Sequence, residues 1–302
     1  MREFLAILLS VCLLGCGERG GAPALGATNA LTVAVSIAPQ AWLVEQVGGN
    51  RVKVVTLVGP SESPHTYQPS DAQITQIMRA KAFFRMGATF EAGRWFRSIE
   101  EGGRVPVFDL REGVDMLAMA EHGHEAHDHH PVESHDEYEG LDPHIWLSPR
   151  RLMVQAETVM MALKNIDPEN GRFYIAGLAM ARADLRTLDQ ELSAKLEPYR
   201  GRAFLVFHPA WGYFADDYGL RQIAIEVEGK APTDRELTAL QELAKREGIK
   251  VVFVQPQFGG QTAQVIADAI GARIESLDPQ AHDLPENLRR AADAIAQSME
   301  AR

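Results

Sequence analysis

Hydrophobic and polar positions along the chain alternate between two patterns. Short apolar runs rich in β-branched residues are typical of buried strands, and they recur at 31–37, 51–58, 81–87, 105–110, 203–208, 222–227, 250–255 and 273–278. Segments with apolar residues at helical spacing lie between these runs, at 39–48, 70–80, 90–100, 210–218, 233–247, 260–270 and 285–300. Strand–helix alternation predicts parallel βαβ units, and two separate series predict an α/β fold with two lobes.

A long helical tract separates the two series. Residues 150–166 have helical spacing, and Asp167-Pro168 then breaks the pattern, with Asp167 as an N-cap and Pro168 at the first helical position. A second helix is predicted over 169–196, about 42 Å long. Its apolar stripe predicts packing and not ligand binding: Leu178, Leu185, Leu188, Leu192 and Leu196. We therefore predict two lobes, each a mostly parallel sheet with flanking helices, joined by one long rigid α-helix.

The amino terminus has the pattern of a secretion signal. Arg2 precedes an apolar run that ends at Leu14, which is too short for a bilayer span and has the dimensions of a signal-peptide core. The sequence LLGC ending at Cys16 resembles a bacterial lipobox, in which the cysteine is lipidated. Cleavage by the ordinary signal peptidase near Ala27 or Ala30 is the alternative.

These patterns divide the 302 residues into consecutive segments. We predict a signal peptide over 1–15, a tether over 16–30, a first lobe over 31–166, a connecting helix over 167–200 and a second lobe over 201–302.

The composition restricts the partners and the metal ligands that the protein can use. The formal charge is −11, with 30 Lys+Arg against 41 Asp+Glu, which disfavours nucleic acid as a partner because phosphate binding needs clustered positive charge. The cysteines are Cys12 and Cys16, so the mature fold is expected to have no disulfide and no thiolate metal site. A metal site must therefore use His, Asp and Glu.

Six of the ten histidines lie in one polar segment of the first lobe, residues 121–139. They are His122, His124, His127, His129, His130 and His135. The segment is too poor in aliphatic residues to form a core, so we predict a loop. It is either a solvated linker or a low-affinity zinc collector that raises the local metal concentration.

Three other histidines each lie beside a proline near a predicted strand end or helix start. His65 follows the run 51–58, His208 ends the run 203–208, and His144 precedes the helix near 149. Because the carboxyl ends of parallel strands form the ligand crevice of such sheets, these histidines could converge between the lobes, and Asp278 could add a carboxylate. Three imidazoles and one carboxylate suit tetrahedral Zn²⁺. The spacing forms no local motif, so strand-end histidines satisfied by the backbone are an open alternative. His282 is expected on the surface.

Five motifs occur together and in order: PHTYQPSDAQ (64–73), LDPHIWLSPRRL (141–152), FHPAWGYFADDYGL (207–220), KVVFVQPQF (250–258) and ARIESLDPQ (272–280). With them the chain resembles the metal-specific substrate-binding proteins of bacterial ABC importers, of the high-affinity zinc uptake type. The resemblance implies a receptor, not an enzyme, that captures Zn²⁺ between its lobes and delivers it to an ABC importer permease. With the lipobox-like sequence at the amino terminus, we expect a periplasmic or cell-surface monomer, lipid-anchored at Cys16.

The resemblance assigns His65 and His144 as ligands from the first lobe, and His208 and Asp278 from the second. Manganese-type relatives have a glutamate at the position of His208, and a nitrogen ligand there favours zinc over Mn²⁺. The fourth ligand is the least secure, since Glu62 or water could replace Asp278.

The chain departs from the family pattern at Gln255, where many relatives have glutamate, at Ser63 and at Gly177. We expect Asp216 and Asp217 to be helix-surface charges. A manganese or broad-metal receptor or adhesin is an alternative function. A secreted zinc hydrolase is less favoured, because it would need an open coordination position and a placed general base.

Overall fold

The computed structural model describes residues 30–119, 138, 140–226, 232–257 and 260–300. The predicted signal peptide, Cys16, the tether up to residue 29 and the six histidines of the segment 121–139 lie outside the described residues. Among the helices of the described residues, none has the length and apolar character needed to cross a membrane.

The first lobe is built on a four-stranded parallel sheet. Its strands are β1 (Leu31–Val35), β2 (Val52–Thr56), β3 (Phe83–Arg85) and β4 (Val107–Asp109), in the order β2-β1-β3-β4. Three helices connect them: α1 (Ala38–Gly48), α2 (Asp71–Ile77) and α3 (Arg94–Gly102). Two long helices follow, α4 (Pro149–Ile166) and α5 (Gly171–Leu196).

The second lobe repeats this topology. Its strands are β5 (Ala203–Val206), β6 (Arg221–Ala224), β7 (Val251–Val254) and β8 (Arg273–Ser276), all parallel and in the order β6-β5-β7-β8. Its helices are α6 (Gly212–Tyr218), α7 (Asp234–Glu247), α8 (Gly260–Ile270) and α9 (Leu284–Glu300). The predicted fold class is therefore confirmed, although the exact boundaries predicted for the lobes and tether stay predictions.

The helix α5 joins the lobes by packing on both. It contacts α1 and α4 of the first lobe and α9 of the second. The leucines predicted to form its apolar stripe are all buried. A 3₁₀ turn over Pro168–Asn170 precedes the helix, so Asp167 caps that turn and not α5 itself. The Asp167 carboxylate instead accepts a 2.6 Å hydrogen bond from the Tyr174 hydroxyl.

Gly177 allows α1 and α5 to pack in backbone contact. A Cβ atom at this position would lie 2.2 Å from the carbonyl oxygen of Val47, which is far inside van der Waals contact. This departure from the family pattern therefore has a packing reason, because a larger residue would separate the two helices.

Candidate metal centre

His65 lies in the loop that joins β2 to α2 at the carboxyl end of the first sheet. The hydroxyl of Tyr67 donates a 2.8 Å hydrogen bond to the carbonyl of Leu57, and Gln73 Nε2 donates one of 3.1 Å to the same atom. Ser70 caps α2 by accepting from the backbone N–H of Gln73. These contacts fix both sides of the loop and direct it into the cleft between the lobes.

His144 is oriented by a carboxylate two residues before it. Oδ1 of Asp142 lies 2.6 Å from His144 Nδ1 and accepts a 2.9 Å hydrogen bond from the His144 backbone N–H. Both residues are buried. An ionised carboxylate can only accept, so Nδ1 carries the proton and Nε2 keeps its lone pair for a metal.

His208 follows β5 and has the same arrangement with a different partner. Val206 pairs with Ala224 of the neighbouring strand β6, so two residues further on His208 lies beside Glu226. Glu226 Oε1 contacts His208 Nδ1, and the carboxylate is buried. The Nε2 atom of His208 therefore also presents a lone pair to the cleft.

The three imidazoles meet between the lobes. His144 Nε2 and His208 Nε2 are 3.3 Å apart, and ligand atoms of His65, His144 and His208 all lie within 4.8 Å of one another. Two nitrogens at Zn–N distances of about 2.0–2.1 Å in a tetrahedron are separated by about 3.3–3.4 Å. The Nε2 atoms of His144 and His208 thus already have the separation of two ligands in a tetrahedral zinc site.

Burial favours the neutral forms of His65 and His208. The pKa of His65 is lowered to about 3, first by burial and then by the neighbouring His144 and His208. Burial also lowers the pKa of His208, against the opposing effect of Glu226. Neutral imidazoles are the form that binds a metal, so His65 and His208 are ready for an ion at neutral pH without first losing protons.

Two carboxylates considered as the fourth ligand lie outside this histidine group and have hydrogen-bond partners. Asp278 Oδ1 accepts from Gln257 Nε2 and from the backbone N–H of Gln280, both at 2.9 Å. Glu62 Oε2 accepts a 2.8 Å hydrogen bond from the backbone N–H of Gly59. Ligation by Asp278 therefore stays a prediction that would require its carboxylate to reorient.

Neutral hydrogen bonds join the lobes at the mouth of the cleft. Gln257 Nε2 donates to the Pro60 carbonyl at 3.0 Å, and Gln280 Nε2 donates to the Glu62 carbonyl at 3.3 Å. On the same side, Trp146 Nε1 donates to the Pro279 carbonyl at 2.6 Å. The loop that carries His65 is therefore fastened to the second lobe.

A buried ion pair joins the lobes on the other side. Asp217 is buried, where it accepts a 2.5 Å hydrogen bond from Ser148 and pairs with Arg151. The expectation of a surface charge is thus wrong for Asp217, because α6 faces α4 across the lobe boundary. Asp216 has a half-exposed side chain and binds Arg151 at 2.7 Å. His282 is exposed as expected, 3.0 Å from Glu45.

Asp142, Glu226 and Tyr213 are site residues that sequence reasoning missed. Asp142 begins the DPH triplet that ends at His144, and Glu226 follows β6 beside His208, so proximity in sequence and in strand register was the available signal. The hydroxyl of Tyr213 donates to the Asp142 carbonyl at 2.7 Å and accepts from Leu117 N–H at 3.0 Å. No sequence pattern marks that contact.

The fold and the histidine cluster together define a two-lobed metal-binding protein with its site in the interlobe cleft. The chain belongs to the family described as ZnuA, zinc-uptake complex component A, periplasmic, whose model matches residues 33–298. The predicted family membership is therefore confirmed.

Individual relatives agree with this family. A crystal structure of ZnuA is 38% identical, covers 90% of this chain and 100% of its own, and superposes with a TM-score of 0.80. A zinc-bound ZnuA deletion mutant is 37% identical, with 91% and 100% coverage and the same TM-score of 0.80. The zinc-binding protein AdcA of Streptococcus pyogenes serotype M3 is 27% identical over 267 residues, which are 84% of this chain and 51% of AdcA. This chain thus spans about half the length of AdcA.

Proposed function

We propose that this protein is the extracytoplasmic zinc receptor of an ABC importer and that His65, His144 and His208 are its metal ligands. Membership of the zinc-uptake family supports the receptor function. The family binds metal ions outside the cytoplasm and works with ABC importer permeases. The residue assignment rests on one observation, the 3.3 Å approach of two Nε2 atoms whose Nδ1 atoms each face a carboxylate.

Two lone pairs that face each other at this distance repel. A cation between them removes the repulsion, and the Asp142 and Glu226 carboxylates behind the rings strengthen the nitrogens as donors. Three imidazoles favour a borderline ion such as Zn²⁺ over Mn²⁺, which prefers oxygen ligands. The same two carboxylates stand behind the imidazoles, where they cannot take a proton from a metal-bound water, so the arrangement favours a receptor over a hydrolase.

Calorimetry on the metal-free mature protein tests the assignment. We expect one high-affinity zinc per chain, strong preference for Zn²⁺ over Mn²⁺ in competition, and loss of high affinity in His208→Ala. His282→Ala is the matched control, because His282 is exposed and pairs with Glu45 away from the cluster. The assignment is wrong if zinc does not bind at 1:1, or if His208→Ala binds as tightly as the control.

The membrane attachment is a separate proposal. A lipid at Cys16 would hold a monomeric receptor near its permease, with residues 16–30 as the tether. Mass spectrometry of the protein from the membrane fraction should detect a diacylglyceryl-modified Cys16, and Cys16→Ala should move the protein to the soluble fraction. An unmodified amino terminus near Ala27 or Ala30 would refute the anchor.

The segment 121–139 is proposed as a zinc collector that feeds the cleft. Its six histidines and seven carboxylates give many weak sites that raise the local metal concentration. Deleting residues 121–137 should leave the single tight site intact while lowering total zinc stoichiometry and transfer to the transporter. Unchanged stoichiometry and transfer would leave the segment as a linker.

A further inference from the structure

We propose that Asp217 is a positioning residue for the metal centre. Its buried ion pair with Arg151 clamps the helix that follows one histidine ligand against the segment that carries another, and thereby slows the release of the bound metal. The inference rests on the proposed function, since it concerns how long the same site holds its zinc.

The ion pair joins the two chain segments that carry His144 and His208. A 3₁₀ turn over Ile145–Leu147 and then helix α4 follow His144 directly, and α6 begins four residues after His208. The same 3₁₀ turn contacts α6 across the lobe boundary. Because these connections are short, a shift of α6 relative to α4 changes the separation of the two imidazoles.

The contacts of Asp217 lie at the start of α4. The Ser148 hydroxyl caps this helix by accepting from the backbone N–H of Arg151, and it donates a 2.5 Å hydrogen bond to Asp217 Oδ2. The other carboxylate oxygen, Oδ1, accepts from the guanidinium of Arg151. Both oxygens of Asp217 are thus bound by the first lobe, and the side chain is fully buried.

Two contacts to Asp142 fasten the beginning of α6. The Tyr213 hydroxyl donates to the carbonyl of Asp142. A Cβ atom at Gly212 would lie 2.8 Å from the Asp142 carboxylate, so the absence of a side chain allows this close approach. Asp142 in turn orients the ring of His144. The helix α6 is therefore held to the first lobe at both ends, and Asp217 supplies the contact near its carboxyl end.

Burial makes the Asp217 contact costly to break. No water reaches this carboxylate, so moving α6 away from α4 would leave a charge without a partner. Asp216 binds the same guanidinium at 2.7 Å, but its side chain is 49% exposed, so water can replace the arginine. The free energy needed to separate the two helices thus depends on Asp217 and little on Asp216.

The rate of zinc release tests the clamp. It is measured by stopped flow on the zinc-loaded protein, with an excess of a chromophoric chelator as the trap. We expect Asp217→Asn to release zinc about ten- to a hundredfold faster than wild type, the effect of losing one hydrogen-bonded contact between charged groups. Asp216→Asn is the matched control, since it alters the same arginine from an exposed position, and it should release zinc at the wild-type rate.

A double variant separates positioning from stability. Asp217→Asn leaves the guanidinium of Arg151 without its buried partner, so it should also destabilise the fold. Adding Arg151→Met removes that charge, and urea unfolding of the metal-free protein should show stability recovering towards wild type. Zinc release should remain fast in the double variant, because the directional contact between α4 and α6 is still absent.

The inference is overturned if Asp217→Asn releases zinc at the wild-type rate, or if Asp216→Asn accelerates release equally. It is also overturned if the double variant regains both the stability and the slow release of wild type, because stability alone would then account for the effect. These three results would leave the proposed function intact. Failure of the wild-type protein to bind zinc at 1:1 would refute the proposed function and the clamp together.

Discussion

Replacing Tyr213 with phenylalanine tests how the second lobe positions a ligand of the first. The hydroxyl of Tyr213 on α6 spans the lobe boundary, where it donates to the carbonyl of Asp142 and accepts from the N–H of Leu117. Asp142 in turn holds His144 through its backbone and its ring. The substitution removes one oxygen atom and keeps the aromatic ring.

The expected losses of stability and of zinc affinity follow from the two lost hydrogen bonds. The Asp142 carbonyl is left without this donor in a buried position, so the free energy of unfolding of the metal-free protein should fall by about 1–3 kcal/mol. Asp142 remains beside His144 but is less firmly placed. We therefore expect zinc affinity to fall about tenfold, the lower end of the effect of removing a residue that orients a metal ligand.

Urea unfolding of the metal-free protein and zinc competition against a chromophoric chelator measure the two effects separately. Tyr174→Phe is the matched control, because Tyr174 is also buried and its hydroxyl binds a carboxylate, that of Asp167, far along the chain from the cluster. The control should lose comparable stability and keep its zinc affinity.

The reasoning fails if Tyr213→Phe loses stability like the control and binds zinc as wild type does. Tyr213 would then brace the lobes without placing His144. Unchanged stability with reduced zinc affinity would also contradict the reasoning, because both effects are attributed to the same two hydrogen bonds.

Three further changes test other parts of the structure. His65 is protonated in the unfolded chain below about pH 6.5 but in the folded chain only below about pH 3, so its contribution to stability is complete above pH 6.5 and declines on acidification. Urea titrations should therefore show that the free energy of unfolding of metal-free His65→Asn depends less on pH between 6 and 4 than that of wild type. The slope of this free energy against pH should be smaller by up to about 1.4 kcal/mol per pH unit. The same slope in both proteins would contradict the lowered pKa of His65. Gly177→Ala should lower the free energy of unfolding by about 1–3 kcal/mol, because the added methyl group meets a backbone carbonyl of α1. Gly171→Ala is the control and should be tolerated, because the added methyl group there meets only a flexible lysine side chain. Equal losses of stability in the two variants would contradict the close contact between α1 and α5. Glu226→Gln should weaken zinc binding about 10–100-fold in calorimetry, and an unchanged affinity would show that the carboxylate does not tune its imidazole.

The fold could be predicted because each strand and helix is marked by its own local pattern. The run VVFV in β7 is apolar and rich in β-branched residues, as a strand buried on both faces requires. Convergence of His65, His144 and His208 could be expected, since parallel strands bring their carboxyl ends to one edge.

Side-chain partners could not be predicted in the same way. Asp278 follows β8 beside the cleft as expected, but its Oδ1 is engaged by Gln257 and by a backbone N–H of its own turn. The sequence around Asp217 predicts a helix-surface charge, and only the packing of α6 against α4 shows that the residue is buried. Such contacts depend on which distant parts of the chain pack together, and local sequence patterns do not encode that packing.

Three of the cross-lobe contacts described at the mouth of the cleft are made by uncharged groups. Gln257, Gln280 and Trp146 donate to backbone carbonyls of the opposite lobe. A protein outside the cytoplasm meets the ionic strength of its surroundings directly, and at about 0.15 M salt exposed charges are screened beyond about 8 Å. Amide-to-carbonyl contacts are insensitive to this screening, so the placement of the His65 loop should stay constant from dilute to saline medium. Salt should then act on how fast a metal ion reaches the acidic protein and not on the shape of the site that receives it.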